Sequence, residues 1–168
     1  MNEVQNIFVL DSSIFIEAKK RYYAFDIVPT FWEKLAELAK EGKLCSIDRV
    51  RNELTKKDDE LKQWIKNSFD SYFHSTSDDT ILMFYRELME WSSSNKQFNE
   101  EAKREFATAD IADAWLIAYA KVNNCIVATE ERLNLNKKSK ILIPNVCNEF
   151  KIEYVDTFQM LRQLEVRL

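Results

Sequence analysis

Six carboxylates in this chain fall where an α/β protein builds a site. Asp11 follows directly on the apolar run Ile7-Phe8-Val9-Leu10, and Glu130 and Glu131 follow Ile126-Val127-Ala128-Thr129. Glu53 lies about two helical turns beyond a third run, Leu44-Cys45-Ser46-Ile47. Asp110 and Asp113 stand three residues apart at the start of a helical pattern, facing one side of it. Read as parallel strands, the runs place ligands outside their carboxyl ends, where these acids converge. Asp113 is the most telling, because its helix, 111–120, is apolar nearly all round and therefore buried. A carboxylate there is either paired or bound to a metal, since an isolated buried charge is too costly. Asp110 has a plainer reading: with Thr108 as a cap, its charge favours a helix N-terminus. Oxygen ligands of this kind suit Mg²⁺ or Mn²⁺, and the chemistry that follows is metal-assisted hydrolysis of a phosphodiester.

The composition leaves few competing chemistries. The 168 residues include one glycine (Gly42), one histidine (His74), two prolines and three cysteines. One glycine cannot form the G-x-G-x-x-G turn of a dinucleotide fold or the G-x-x-x-x-G-K-[ST] phosphate loop. One histidine cannot build H-E-x-x-H, and three cysteines without C-x-x-C spacing cannot build a zinc knuckle. A serine triad would have to pass through His74, whose polar surroundings read as an exposed loop or helix end. Cys45, Cys125 and Cys147 read as buried free thiols in a reducing cytosol, so a cytoplasmic location is expected. The net charge of −4 argues against a general nucleic-acid coat protein, though not against a nuclease whose acids are offset by divalent metal. With 46 % apolar and 31 % charged residues, the length predicts one globular domain over residues 1–168. No run approaches the roughly 20 apolar residues of a membrane span, and the first residues carry no secretory pattern.

The elements that must position the acids alternate. Residues 7–10, 44–47, 126–129, 141–143 and 152–155 read as short strands, buried because nothing alternates along them. A helix starts near Ile14 and fades into Lys19-Lys20-Arg21-Tyr22-Tyr23, a stretch that could hold RNA on cations and rings. A second helix runs from Pro29 to a stop at Gly42, and Asp48 caps a third. Residues 56–107 read as almost all helix, with apolar stripes at 61–73 and 81–88 and one linker-like break at 92–96. Such stripes are ordinarily core; left uncovered, they would suit a homodimer. Helices at 111–122, 146–150 and from Thr157 complete a parallel α/β sheet covered on both faces. The loop lysines 137, 138 and 140 read as solvated.

Four segments, in order, resemble the motifs of PIN domains, a ribonuclease family. They are Phe8-Val9-Leu10-Asp11-Ser12-Ser13, Arg49-Val50-Arg51-Asn52-Glu53-Leu54, Ala112-Asp113-Ala114-Trp115-Leu116-Ile117-Ala118-Tyr119-Ala120 and Ile126-Val127-Ala128-Thr129-Glu130-Glu131. The resemblance implies a three-layer α/β/α fold with a parallel sheet of four to five short strands, here carrying a helical insertion at about 56–107. It implies Asp11, Glu53 and Asp113 as core ligands of Mg²⁺ or Mn²⁺, Glu131 as the fourth, and Ser13 and Thr129 orienting waters or ligands nearby. It implies an endoribonuclease, and many bacterial members are VapC-like toxins neutralised by a cognate antitoxin. Two departures mark an atypical branch. The fourth motif has Glu130-Glu131 where an aspartate is usual, and the 56–107 region is longer than in compact toxins. A non-catalytic PIN-like binding module and a nuclease acting on DNA are the alternatives.

Overall fold

The computed structural model describes residues 4–168. Five strands form one sheet: β1 (Phe8–Leu10), β2 (Leu44–Ile47), β3 (Phe73–His74), β4 (Ile126–Ala128) and β5 (Tyr154–Val155). Every pairing is parallel, in the order β3-β2-β1-β4-β5. Helices cover both faces: α1 (Ser12–Glu17), α2 (Pro29–Lys40), α3 (Asp48–Leu54), α4 (Glu60–Trp64), α5 (Asp79–Ser94), α6 (Glu100–Ala107), α7 (Asp113–Asn123), α8 (Ile143–Phe150) and α9 (Thr157–Gln163). This is the three-layer α/β/α arrangement. β1, β2 and β4 are buried at every position, as a parallel sheet covered on both faces requires.

α2 shows how the helices are bounded. Pro29 lies in its first turn, where a missing N–H and a fixed φ do no harm. Phe31, Trp32, Leu35, Leu38 and Ala39 recur at helical spacing and are buried. Gly42 ends the helix at φ +74°, with its N–H donating to Ala39 and that of Lys43 to Leu38, a Schellman closure. The chain has no second glycine to repeat the device. Asn124 and Lys151 therefore adopt the same left-handed conformation after α7 and α8, at φ 53° and 56°. Lys151→Gly is expected to stabilise the protein by about 1 kcal/mol and Gly42→Ala to destabilise it by about as much. Urea midpoints at unchanged m would show both.

The buried apolar residues form one connected cluster. Part of the 56–107 region closes it. Phe69 packs edge-on against Phe15, at 5.6 Å between ring centroids, and Trp64 against Trp32, at 4.9 Å. Ile81 and Leu88 of the second stripe are buried as well, so both stripes are largely covered by the chain itself. All three cysteines are buried and free. No helix among the described residues is long and apolar enough to cross a membrane.

The structure corrects four local expectations. Residues 141–143 form no strand; Ile143 opens α8, with Pro144 in its first turn. A short apolar run followed by proline suits a buried helix start as well as a strand, and tertiary packing decided. Conversely, Phe73 and His74, expected in the helical region, pair with Ser46 and Ile47 as β3. Beyond the loop at 55–59 that opens it, the breaks in that region lie at 73–78 and 95–99, while Ser92–Ser94 remain helical. Asp48 is the first residue of α3 rather than its cap, its carboxylate accepting from the N–H of Arg49 and from the N–H and hydroxyl of Thr76.

Candidate active site

The connection after β1 leads to β2 on one side and the connection after β4 leads to β5 on the other, so the sheet has its switch point between β1 and β4, where ligands bind at the carboxyl ends. Asp11 leaves β1 at that point, its N–H donating to Ala128 of β4 at 2.9 Å. It occupies the N-cap position of α1, where an aspartate ordinarily accepts from the first turn, yet it makes no capping bond. Its carboxylate, only 3 % exposed, accepts instead from the hydroxyls of Ser13 at 2.6 Å and Thr129 at 3.0 Å. Ser13 in turn accepts from the N–H of Glu130, and Thr129 from that of Glu131. The structure thus places Ser13 and Thr129 on Asp11, fixing its orientation and tying the turn after β4 to the turn after β1.

The acids from the other elements meet Asp11 around one open cleft of about 330 Å³, lined by Ser13, Glu53, Asp113, Glu131 and Lys140 among others. Glu53, in the last turn of α3, accepts from the N–H of Ala112 at 2.9 Å, at the head of α7. Glu131 accepts from the N–H of Ile143 at 2.8 Å and pairs with Lys140 at 3.2 Å. Asp113 is half-buried in the first turn of α7 and accepts no hydrogen bond from the described residues. Its helix is fixed from two sides. The Arg49 guanidinium of α3 lies 3.9 Å from the centre of the Trp115 ring, and Tyr85 of α5 stacks on that ring at 3.9 Å. The indole N–H of Trp115 is buried without a partner among the described residues.

Burial and neighbouring carboxylates raise two of the acids, Asp113 and Asp11. Burial lifts the Asp113 carboxyl well above the ordinary carboxylate value; Asp11, Glu131 and Glu53 add to it, while Lys140 works the other way. Burial also lifts Asp11, and the Glu131 charge adds, against the Ser13 and Thr129 hydroxyls. Burial opposes the Lys140 ammonium, but the Glu131 and Asp113 carboxylates outweigh it and hold its pKa above the ordinary lysine value. The cleft therefore holds an excess of negative charge that its single lysine offsets only in part. Among the described residues, no three His, Cys, Asp or Glu side chains stand close enough together to clasp one ion by themselves.

Two other acids are placed elsewhere. Asp110 lies in an exposed turn before α7 rather than on it, and Thr108 closes α6, donating to the Arg104 carbonyl, instead of capping the next helix. Glu130 turns away from the cleft and accepts from both the N–H and the hydroxyl of Thr157 at the start of α9.

Residues 8–168 match the family described as a domain of unknown function, DUF4411. The chain belongs to the DUF4411 family. No curated protein matches the sequence. Among solved structures, the DUF4411 chain is similar to a chain of FitAB bound to the IR36 DNA fragment. The identity is 13 % and the TM-score 0.54, over 89 % of this chain and 94 % of that one. It is similar, too, to a chain of VapBC2 from Rickettsia felis bound to a DNA fragment from their promoter. There the identity is 16 % and the TM-score 0.50, over 89 % and 98 % of the two chains. The likeness is one of fold: the DUF4411 chain has the PIN-like fold that its four motifs led us to expect.

Sequence reasoning missed three residues that line the cleft of the DUF4411 chain. Lys140 is half-buried among the acids rather than solvated, and Glu17 and Glu105 stand on its rim. For Lys140 a signal existed, since it directly precedes the buried Ile141. For Glu105 there was none, because α6 is brought to the cleft by its packing against α5 and α7, which lie elsewhere in the sequence.

Proposed function

We propose that this protein is a divalent-metal-dependent endoribonuclease acting as the toxin of a toxin–antitoxin pair. The observation that carries the reading is Asp113, a half-buried carboxylate with no hydrogen bond from the described residues, sharing one cleft with Asp11, Glu53 and Glu131. Such an excess of like charge is relieved by a hard cation with oxygen ligands. Mg²⁺ ordinarily keeps several waters and takes one or two carboxylates plus substrate phosphate, so the fit does not need a three-carboxylate clasp. Mg²⁺ or Mn²⁺ bound there would lower the pKa of a water and stabilise the leaving oxygen of a phosphodiester. Asp11, oriented by Ser13 and Thr129, and Asp113 would supply the nearest ligand oxygens. Glu53 and Glu131, each with one oxygen engaged by a backbone N–H, would hold the surrounding waters. Lys140 is the group able to pair with a phosphate oxygen.

The decisive experiment is incubation of labelled single-stranded RNA and DNA with Mg²⁺, with Mn²⁺ and with EDTA. Cleavage of RNA only when metal is present supports the reading; cleavage of DNA alone moves it to a deoxyribonuclease. No cleavage of either strand with metal sinks it. The toxin role rests on the four motifs and on a fold shared with FitAB and VapBC2. It predicts that induced expression arrests growth and that a co-expressed partner protein restores it. With the stripes largely covered inside this chain, that partner takes precedence over a second copy.

A non-catalytic PIN-like module, its acids receiving a partner's arginine, is the second reading. The Lys140–Glu131 pair favours it, being a protein cation already placed among the acids. Calorimetry with Mg²⁺ and Mn²⁺ separates the two, since the module requires no metal response.

A further inference from the structure

Most aromatic rings of this protein pack into its interior, but Tyr22 and Phe158 do not, being 64 % and 45 % exposed. They come from opposite ends of the sequence, Tyr22 from the turn after α1 and Phe158 from the first turn of α9. Their ring centroids nevertheless stand 6.1 Å apart. With Arg21, Tyr23, Glu130 and Arg132 they line a cleft of about 150 Å³. Glu17 lines both this cleft and the acidic one, so the two are neighbours around a single side chain.

The charges in the aromatic cleft are mostly engaged already. Glu17 pairs with Arg21 at 2.8 Å, Glu130 is held by Thr157, and Asp156 caps α9 through the N–H of Gln159. Arg132 is exposed and makes no ion pair or side-chain hydrogen bond among the described residues. Two other groups of the basic stretch have structural work, Lys19 bound by Asp59 at 2.6 Å and Tyr23 stacked on Phe31 at 4.3 Å, while Lys20 is exposed. Two exposed rings and one uncompensated guanidinium therefore remain beside the acids. An unstacked base with its phosphate needs that combination, the base lying on a ring and the phosphate on an arginine.

We propose that Tyr22 and Phe158 form a stacking subsite for an unpaired nucleobase of a single-stranded nucleic acid, with Arg132 on the adjoining phosphate. The subsite rests on the nuclease reading for its place in catalysis, but its binding is measurable without any cutting. The probes are a fluorescein-labelled eight-nucleotide uridine RNA, its deoxy counterpart and the same strand made abasic, titrated by anisotropy against the full chain. Titrations are run with EDTA and again with Ca²⁺. Phe158→Ala and Tyr22→Ala should each weaken binding of the base-bearing strands about tenfold or more. Tyr22→Phe should bind like wild type, and the abasic strand should not distinguish Phe158→Ala from wild type. Arg132→Ala should weaken all strands and flatten the salt dependence. Binding of base-bearing strands by Phe158→Ala within twofold of wild type overturns the subsite, as does wild type binding none of them under either condition. Comparing the ribose and deoxyribose strands shows which one the rings prefer; base-dependent loss with either supports the subsite. If metal does nothing and no strand is cut, the nuclease reading falls while a ring-dependent affinity still stands.

Discussion

Asp113→Asn is expected to make the metal-free protein more stable and, in the same stroke, nearly blind to Mg²⁺ and Mn²⁺. The first effect follows from linkage. The folded-state pKa of Asp113 lies well above its ordinary value, chiefly through burial and then through Asp11 and Glu131. The folded chain therefore holds this proton more tightly than the unfolded one, and stability falls as pH rises through the interval between the two values. Above the raised value the destabilisation is complete, so wild type without metal should melt lower at neutral pH than nearer the ordinary carboxylate range. Asparagine carries no charge to destabilise, so the variant should melt higher at neutral pH and show a flatter pH profile. Each kcal/mol recovered appears as roughly 2–4 °C in Tm for a chain of this size. The second effect has the opposite sign. Metal bound only by the folded state stabilises wild type by about 2.7 kcal/mol at a hundred times its Kd, whereas the variant has lost the carboxylate that most needs the cation. Thermal melts with and without metal, across pH, measure both effects. An equal metal response in the two proteins would falsify the metal site.

Asp11→Asn should abolish RNA cleavage while leaving the fold nearly untouched. On the proposed nuclease reading, losing an oxygen that would hold the cation forfeits several kcal/mol of transition-state stabilisation, about a thousandfold or more in rate. The fold survives because the neighbours of Asp11 are adaptable. Its carboxylate accepts from the hydroxyls of Ser13 and Thr129, and a hydroxyl can rotate to accept from an amide as readily as it donates to a carboxylate. The expected record is a single-turnover cleavage rate at least a thousandfold down, beside a melting temperature within a few degrees of wild type. Residual cleavage at a tenth of the wild-type rate would remove Asp11 from the ligand set.

What was legible in the sequence was whatever depends on contiguous residues. β1, β2 and β4 announce themselves as apolar runs without alternation, because both of their faces are covered. Asp11 and Glu131 can be placed because each closely follows such a run. β3 could not be read, since two residues have no periodicity and Phe73 is a strand residue only by virtue of lying beside Ser46. Residues 141–143 misled for the complementary reason: a buried helix start and a buried strand look alike over three residues. Asp110 was misplaced by one turn, because α7 begins at Asp113 after a bend that nothing in the residue pattern required. Lys140 was misread because its charge outweighed the one cue beside it, the buried Ile141 that directly follows.

Glu53 reaches across from α3 to the N–H of Ala112, and Ala112 has no side chain with which to begin α7 for itself. The second acid is thus a foundation for the helix that displays the third, and position 53 answers to two demands at once. An aspartate, one methylene shorter, would have to abandon one of them, and an alanine would fray the start of α7 while also deleting an oxygen from the cleft. Inactivity of Glu53→Ala would therefore say nothing about chemistry. Only Glu53→Gln, which keeps an acceptor for Ala112 and discards the charge, separates the anchor from the ligand.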